Sequence, residues 1–151
     1  MLMLRQFDFV PFGIDGFNSI WKERMDDVIE DCMHTLENPS DANVKFIIFH
    51  DELPIGITGY YIIDGRAIMA WHGIVERMRG QGHSLLALRT LISLIKQKYP
   101  NITEITELVP ADRESEVGAY FKKIGFKPNG KIFKHPDFVQ SVVWKEYILQ
   151  I

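Results

Sequence analysis

The sequence predicts a mixed α/β fold built on a mostly antiparallel sheet. Three strand-like segments follow one another between residues 44 and 76 with short connections, which is typical of an antiparallel meander. A glycine turn follows, and helix and strand patterns then alternate to the end of the chain. The 151 residues are enough for one ordinary core, so we expect a single domain spanning residues 1–151.

A strand and a helical segment precede the meander. Residues 2–10 alternate loosely and predict a first strand, followed by a loop through Gly13 and Gly16. From Phe17 to Leu36, apolar residues recur at helical spacing and predict one long helix or two short ones, ended by Asn38-Pro39. Acidic residues fill much of the remaining helix surface, and a solvated face explains them best. The apolar positions are Phe17, Ile20, Trp21, Met25, Val28, Ile29, Cys32, Met33 and Leu36.

The meander consists of β-branched and aromatic segments separated by turn residues. Val44 to His50 and Ile55 to Ile63 predict two strands joined by a turn at Asp51-Glu52-Leu53-Pro54. Asp64-Gly65 is a hairpin-turn dipeptide, and the next strand is predicted from Arg66 or Ala67 to about Glu76. This strand leads directly into the glycine turn.

Two helices and three strands are predicted after that turn. The first helix ends before Pro100, and a strand from Ile102 to Val109 follows it. Asp112 is placed to cap a short helix that ends at Gly125. Residues 131–135 and 139–149 predict a closing pair of strands. The apolar stripes are Leu85, Leu88, Leu91, Ile92 and Ile95 in the first helix, and Val117, Tyr120, Phe121 and Ile124 in the second.

Composition and charge limit the classes of function. A formal net charge of −3 argues against nucleic acid as the main partner, because phosphate binding needs a basic surface. Cys32 is the single cysteine, which excludes an internal disulfide and a cysteine-based metal site; we expect no metal. The N-terminus lacks the apolar core of a signal peptide, and no segment is long enough to span a bilayer. We therefore expect a cytoplasmic protein with no membrane partner.

The segment with the clearest chemical meaning is the glycine turn, Arg79-Gly80-Gln81-Gly82-His83-Ser84. Two glycines one residue apart let backbone N–H groups converge without interference from Cβ atoms. The helix that follows adds unpaired N–H groups and the positive end of its dipole, and Arg77 and Arg79 add charge beside it. The turn therefore predicts an anion cradle, although Gly-x-Gly alone is also compatible with a simple tight turn.

A second motif, Ala119-Tyr120-Phe121-Lys122-Lys123-Ile124-Gly125-Phe126, follows the turn after room for one helix and one strand. Together, the two motifs and the order of the elements resemble the GNAT superfamily of acetyl-CoA-dependent N-acyltransferases along nearly the whole chain. The glycine turn looks like that family's pyrophosphate loop, and the second motif looks like its later helix. The resemblance implies a GNAT-like fold, with helices on both faces of a twisted sheet whose fourth and fifth strands splay apart.

The resemblance also implies acetyl-CoA as a co-substrate, held between the strands Ala67 to Glu76 and Ile102 to Val109. The pantetheine arm would pair with the strand backbone near Ile74 and Glu76. The pyrophosphate would bind the loop, whose residues are Arg79, Gly80, Gln81, Gly82, His83 and Ser84. Ser84 departs from the family's usual Gly or Ala. The Asn that many relatives use to hold the cofactor is also missing, and Arg113, Glu114 or Ser115 occupies its region.

Amine acetylation needs a base for the acceptor ammonium and, ideally, an acid for the leaving thiolate. His72 is a candidate base because we place it in the fourth strand, on the face of Ile74, with a pKa near the useful range. Glu107 is a second candidate, because it shares a strand face with Ile105 and Val109, where burial would raise its pKa.

The acid is implied to be a tyrosine of the later helix. Counting back from Gly125-Phe126 selects Phe121, whereas counting forward from Val109 selects Tyr120. The sequence thus predicts an N-acetyltransferase that moves an acetyl group directly to a primary amine in a ternary complex, since Cys32 lies away from both splayed strands. The acceptor is a small-molecule or peptide amine, and the oligomeric state is open, a homodimer included. The alternative is a catalytically silent GNAT-fold module that binds CoA or a partner.

Overall fold

The computed structural model describes residues 1–8, 16, 20–21, 25–136, 138 and 141–151. Within these residues, eight strands and three α-helices have defined bounds, and Gly16, Ile20 and Trp21 are also helical. In chain order the elements are β1 (Leu2–Gln6), α1 (Met25–Glu37), β2 (Asn43–His50), β3 (Leu53–Ile63), β4 (Arg66–Met69), β5 (Gly73–Ile74), α2 (His83–Lys98), β6 (Glu104–Pro110), α3 (Ala119–Lys123), β7 (Lys127–Phe133) and β8 (Trp144–Gln150).

The sheet has the strand order β1-β2-β3-β4-β6-β8-β7, with β5 pairing beside β3. Among the described strands, every pair is antiparallel except β4 and β6, which run parallel. Asp51 and Glu52 have φ of 48° and 68°, and Asp64 and Gly65 have φ of 50° and 75°, so both meander connections are tight turns. The predicted mixed fold with a mostly antiparallel sheet is confirmed.

The fourth and fifth predicted strands separate as the resemblance implies. β4 and β6 pair only at Ala67 with Ile105 and at Ile68 with Thr106, after which β4 stops while β6 continues to Pro110. The chain then returns to β3, where Gly73 and Ile74 pair with Ile57 and Gly56. A gap therefore opens between β5 and the second half of β6.

The prediction of one continuous strand to Glu76 is wrong. The strand is interrupted at Ala70–His72, where Trp71 takes a left-handed φ of 50° that turns its backbone out of the ladder. His72 consequently lies in the break and not on a strand. Glu76 lies beyond the end of β5 and begins a 3₁₀ turn, Glu76–Met78.

Other boundaries also differ from the predictions. β1 ends at Gln6; residues 9 and 10, the predicted loop at Gly13 and residues 17–19 and 22–24 of the predicted helix lie outside the described residues. Gly16 is helical instead of part of a loop. The last strand begins at Trp144, and the predicted residues 139 and 140 are likewise outside the described part. In α1, Met33 and Leu36 are exposed, because the helix packs on the sheet through the face that carries Val28 and Cys32.

The later helix has an unexpected start. Asp112 caps nothing: it lies in a 3₁₀ turn, Ala111–Arg113, which a π-helical turn, Glu114–Gly118, joins to α3. The Glu114 carboxylate accepts hydrogen bonds from Lys145 and Tyr147 of β8, which holds this wide turn against the sheet. The predicted C-terminal cap is confirmed, since Gly125 has a φ of 109° and Phe126 N–H donates to the Phe121 carbonyl at 2.9 Å.

Helices pack on both faces of the sheet, α2 and α3 on one and α1, whose Asp31 contacts Lys45 and Tyr61, on the other. On one face, the stripe of α2 and the Phe121 ring of α3 pack on Ile105 and Val109, which confirms the predicted apolar face of α2. On the opposite face, Leu108 packs against Phe133 and Trp144. In the described part of the chain, no helix combines the length and the apolar character that crossing a membrane requires.

Candidate active site

A cleft of about 1560 Å³ occupies the gap between β5 and β6. Small-molecule sites usually measure about 300–1,000 Å³, so the cleft has room for two ligands side by side. Its lining includes most of the predicted site residues, namely His72, Ile74, Arg79, Gly80, Gly82, His83, Ser84, Glu107 and Tyr120. Glu76 and Gln81 are not part of this lining.

The glycine turn has the geometry of an anion cradle. Gly80 and Gly82 have φ of 76° and 81°, a left-handed conformation that side chains disfavour. A Cβ atom added to either glycine would meet no heavy atom within 4 Å, so the space above the turn is open. α2 begins directly afterwards, and no described side chain caps its N-terminus. Its first N–H groups and its dipole are therefore available to a negatively charged ligand, and the predicted cofactor phosphates fit here.

Arg79 connects the turn to β5. Its Nε donates to the Ile74 carbonyl at 2.8 Å, and its backbone N–H donates to the Glu76 carbonyl at 3.2 Å. The Ile74 carbonyl is thereby engaged by the turn itself, which holds the turn at a fixed distance from the strand. Around Glu76, where the sequence predicted the end of a strand, the structure has the 3₁₀ turn followed by Arg79.

His83 contributes to the cradle through its backbone. Its side chain is 9% exposed, its ring centroid lies 4.5 Å from that of His50, and its Nε2 has no hydrogen-bond partner among the described residues. Burial, reinforced by His50, lowers the pKa of His83, so the ring stays neutral near pH 7. A neutral, packed ring adds no charge for an anion.

A chain of hydrogen bonds crosses the cleft behind the turn. His72 Nδ1 lies 2.9 Å from Thr58 Oγ1, and His72 Nε2 lies 2.9 Å from Ser84 Oγ. Ser84 Oγ also hydrogen-bonds to the Tyr120 hydroxyl. The Ser84 hydroxyl therefore joins the broken strand to α3, which a Gly or Ala at this position could not do. The sequence analysis singled out His72, Ser84 and Tyr120 but not Thr58, and it held no signal that these side chains meet.

Both ring nitrogens of His72 are engaged in this chain. Burial lowers the pKa of His72 to about 4, so the imidazole is neutral and weakly basic at pH 7. This environment suits an orienting group better than a base.

Tyr120 and Phe121 face different surroundings. Both border the cleft, but Phe121 is 4% exposed and packs in the core, whereas Tyr120 is 38% exposed. Burial, with the nearby Glu107 carboxylate, raises the pKa of Tyr120 to about 12. The hydroxyl thus keeps its proton at neutral pH and has one to donate.

Glu107 is a half-buried acid on the wall of the cleft. Its Oε2 has no hydrogen-bond partner among the described residues, and it shares the face of the fully buried Ile105 and Val109. Burial raises the pKa of Glu107 well above its usual value, as the sequence predicted. A carboxyl group with a raised pKa in a cleft is a common arrangement for a catalytic base.

The end of the cleft nearest α1 contains a cluster that sequence reasoning missed. Asp31 Oδ2 accepts hydrogen bonds from the Tyr61 hydroxyl and from Trp71 Nε1, the latter at 2.6 Å, and lies 3.4 Å from Lys45 Nζ. The Lys45 side chain is fully buried, with Nζ 4.3 Å from the centre of the Tyr61 ring. Asp31 therefore ties α1 to Trp71 in the strand break. The adjacent Cys32 is buried, and burial raises its thiol pKa to about 12.

Comparison with solved structures identifies the fold. A GNAT-family protein from Desulfovibrio desulfuricans matches with a TM-score of 0.70 and 12% identity, covering 99% of both chains. PaiA N-acetyltransferase from Thermoplasma acidophilum, solved with coenzyme A, gives 0.67 and 15%, covering 100% of this chain and 99% of its own. The chain has the fold of the GNAT acetyltransferases. AAC(6')-Ib, solved with ribostamycin and coenzyme A, gives 0.68 and 14%, covering 99% and 93%.

At these identities the likeness establishes the GNAT fold alone. No family model matches the sequence, and no curated protein matches it. The roles of individual residues in this GNAT fold must therefore be argued from their own geometry.

One departure from the GNAT pattern has a structural explanation. Glu114, in the region of the missing Asn, is committed to Lys145 and Tyr147 and stabilises the π-helical turn. Its neighbour Arg113 lines the cleft and lies 3.7 Å from Glu116. Among the described residues, no group of three His, Cys, Asp or Glu side chains could hold a metal ion.

The buried, neutral His72 predicts an acid-sensitive fold. Because its pKa is about 4 when folded and 6.5 ordinarily, the unfolded chain gains a proton as the pH falls below 6.5 while the folded chain does not. Between pH 7 and pH 4.5 we expect this residue to remove about 2 kcal/mol of stability. Urea unfolding at both pH values should show a smaller loss for His72→Gln than for the wild type. The raised pKa of Glu107 has the opposite effect on stability as the pH falls, and this effect is the same in the wild type and in His72→Gln. Equal losses of stability in the two proteins would contradict the prediction.

Proposed function

We propose that this protein is an acetyl-CoA-dependent N-acetyltransferase that transfers the acetyl group directly to a primary amine. One observation carries the proposal: the open space above Gly80 and Gly82, facing the uncapped N-terminus of α2, at one end of the two-ligand cleft. PaiA and AAC(6')-Ib, which share the fold, were both solved with coenzyme A, and the second was solved with an amine-bearing ligand as well. These matches support the proposal without identifying the acceptor.

The glycine turn would hold the cofactor. Backbone N–H groups from Gln81 to Ser84 would bind the pyrophosphate, and the N-terminal dipole of α2 would favour its charge. The pantetheine arm would lie in the gap beside Ile74. When bound, acetyl-CoA supplies the acetyl group as an activated thioester.

Glu107 is our candidate for the base that accepts the proton of the acceptor ammonium. Its carboxyl group is buried in the cleft wall with one oxygen unpartnered, so its proton affinity is raised toward that of an amine. His72 fits this role less well, because its pKa is about 4 and both of its nitrogens are engaged. We assign His72 a positioning role instead, acting through Ser84.

Tyr120 is our candidate for the acid that protonates the leaving thiolate. Its hydroxyl lines the cleft, remains protonated at neutral pH and is oriented by Ser84. Direct transfer is favoured over an acyl-enzyme because the thiol of Cys32, a residue of α1, is buried between that helix and the sheet, with a pKa of about 12.

Two measurements test the function. Calorimetric titration with acetyl-CoA should give saturable binding, and release of free thiol should then depend on both acetyl-CoA and an amine. Binding without thiol release for any amine would indicate a silent CoA-binding module. No binding of either acetyl-CoA or CoA would overturn the proposal.

A further inference from the structure

The region of the cleft beside α1 is lined by aromatic side chains. They form two edge-to-face pairs, Trp21 with Trp71 at 6.1 Å and Tyr61 with Phe138 at 5.8 Å between ring centroids. All four side chains are partly exposed, and Trp144 lines the same region. Rings held in this way offer a large apolar surface at little conformational cost.

The carboxylate at the centre of this region is already neutralised. Asp31 lies 3.4 Å from the buried Lys45 ammonium, and its Oδ2 also accepts hydrogen bonds from Tyr61 and Trp71. A ligand ammonium would therefore gain little from Asp31, because it would have to compete with an internal cation. The role of Asp31 is to hold the two aromatic pairs on either side of itself.

The other described acidic residues at this end, Asp27 and Glu30, are not placed to hold buried cations. Both line the cleft but are exposed on the surface of α1, where water screens their charges. Among the described lining residues, Glu107 is the half-buried acid that has a buried oxygen without a hydrogen-bond partner. One ammonium can meet it in the gap between the strands, whereas the described residues of the aromatic region offer no further buried, unpaired carboxylate to the other ammonium groups of a polycation.

We propose that the acceptor is a primary monoamine carried on a flat aromatic body, which packs against the Trp21–Trp71 and Tyr61–Phe138 pairs with its amine in the strand gap. This inference rests on the proposed function and specifies the substrate class of the same site. It separates this chain from a site built for polycationic amines such as spermidine.

The experiment compares three acceptors at saturating acetyl-CoA by thiol release: 2-phenylethylamine, n-butylamine and spermidine. We expect kcat/KM for 2-phenylethylamine to exceed the other two values by at least about tenfold, because only this amine fills the aromatic pocket. Higher kcat/KM for spermidine or n-butylamine would overturn the inference while leaving the acetyltransferase function intact. If no amine releases thiol, the proposed function fails.

Direct binding tests the pocket independently of turnover. Calorimetry of 2-phenylethylamine with and without CoA should give tighter binding than n-butylamine, and equal or absent binding would overturn the inference. Phe138→Leu should lower the preference for 2-phenylethylamine over n-butylamine by about fivefold, mainly through KM. Tyr99→Leu, an aromatic deletion outside the cleft, is the matched control and should leave that preference unchanged. Equal behaviour of the two variants would contradict the pocket.

Discussion

Gly82→Val is expected to weaken acetyl-CoA binding by at least about 100-fold, because it removes two or more charge-assisted hydrogen bonds to the cofactor phosphates. A Cβ atom at Gly82 would occupy the space above the turn, where no protein atom lies within 4 Å and where we place the pyrophosphate. The branched side chain would hold the phosphate away from the N–H groups of α2. Calorimetric titration with acetyl-CoA measures the change directly.

Backbone strain is the main complication of this experiment, and the chain supplies a control for it. Gly82 has a φ of 81°, so valine strains the turn by about 1–2 kcal/mol whatever its effect on binding. Gly65 has a φ of 75° and equally open surroundings, but it lies in the hairpin between β3 and β4. Gly65→Val should lose similar stability and keep wild-type affinity. Equal affinities in the two variants would disprove the cradle.

Features encoded by local patterns could be predicted from the sequence. The glycine turn, the apolar stripe of α2 and the C-terminal cap at Gly125 each depend on residues within a few positions of one another. The position of Glu107 on the core-facing side of β6 was also predictable, because alternation along a strand places it on the face of Ile105 and Val109.

Features held by distant partners could not be predicted. The strand break at Trp71 is stabilised by Asp31, which is 40 positions away on α1. Residues 66–76 are rich in side chains that favour strands, so the sequence alone predicts a continuous strand. Only the contact with Asp31 reveals the break. Because the break was not predicted, the sequence placed His72 on a strand face. In the structure it lies in a chain of hydrogen bonds, where burial lowers its pKa.

The ambiguity between Tyr120 and Phe121 has a similar origin. The two counts along the sequence differ by one residue, and a π-helical turn inserts one residue relative to an α-helix. That turn, Glu114–Gly118, is anchored by Glu114 to Lys145 and Tyr147 of β8, about 30 positions later in the chain. No local pattern reveals it, so only the fold separates the exposed Tyr120 from the buried Phe121.

Glu107→Gln is expected to lower kcat by about 100-fold at neutral pH, the usual contribution of a positioned base. Glutamine preserves the shape of the side chain but cannot accept a proton from the acceptor ammonium. Acetyl-CoA affinity should stay within about threefold of wild type, because Glu107 lies on the wall of β6 and not in the glycine turn. Steady-state kinetics on the amine with the highest kcat/KM, together with calorimetry, separate these two effects.

The pH profile distinguishes a base from a structural residue. A base must be deprotonated to work, so the wild-type rate should fall as the pH drops through the raised pKa of Glu107. This acidic limb of the pH–rate profile should be absent in Glu107→Gln. Glu104→Gln, on the same strand but outside the cleft, should keep both the rate and the limb.

Stability should move in the direction opposite to activity. Burial opposes the charged form of Glu107, so above its raised pKa the folded state carries a desolvated carboxylate that glutamine removes. Glu107→Gln should therefore unfold at an equal or higher urea concentration than the wild type at pH 8, even though it is nearly inactive. A variant that lost stability together with activity would show that Glu107 supports the fold. A variant that kept the wild-type rate would show that another residue of the cleft is the base.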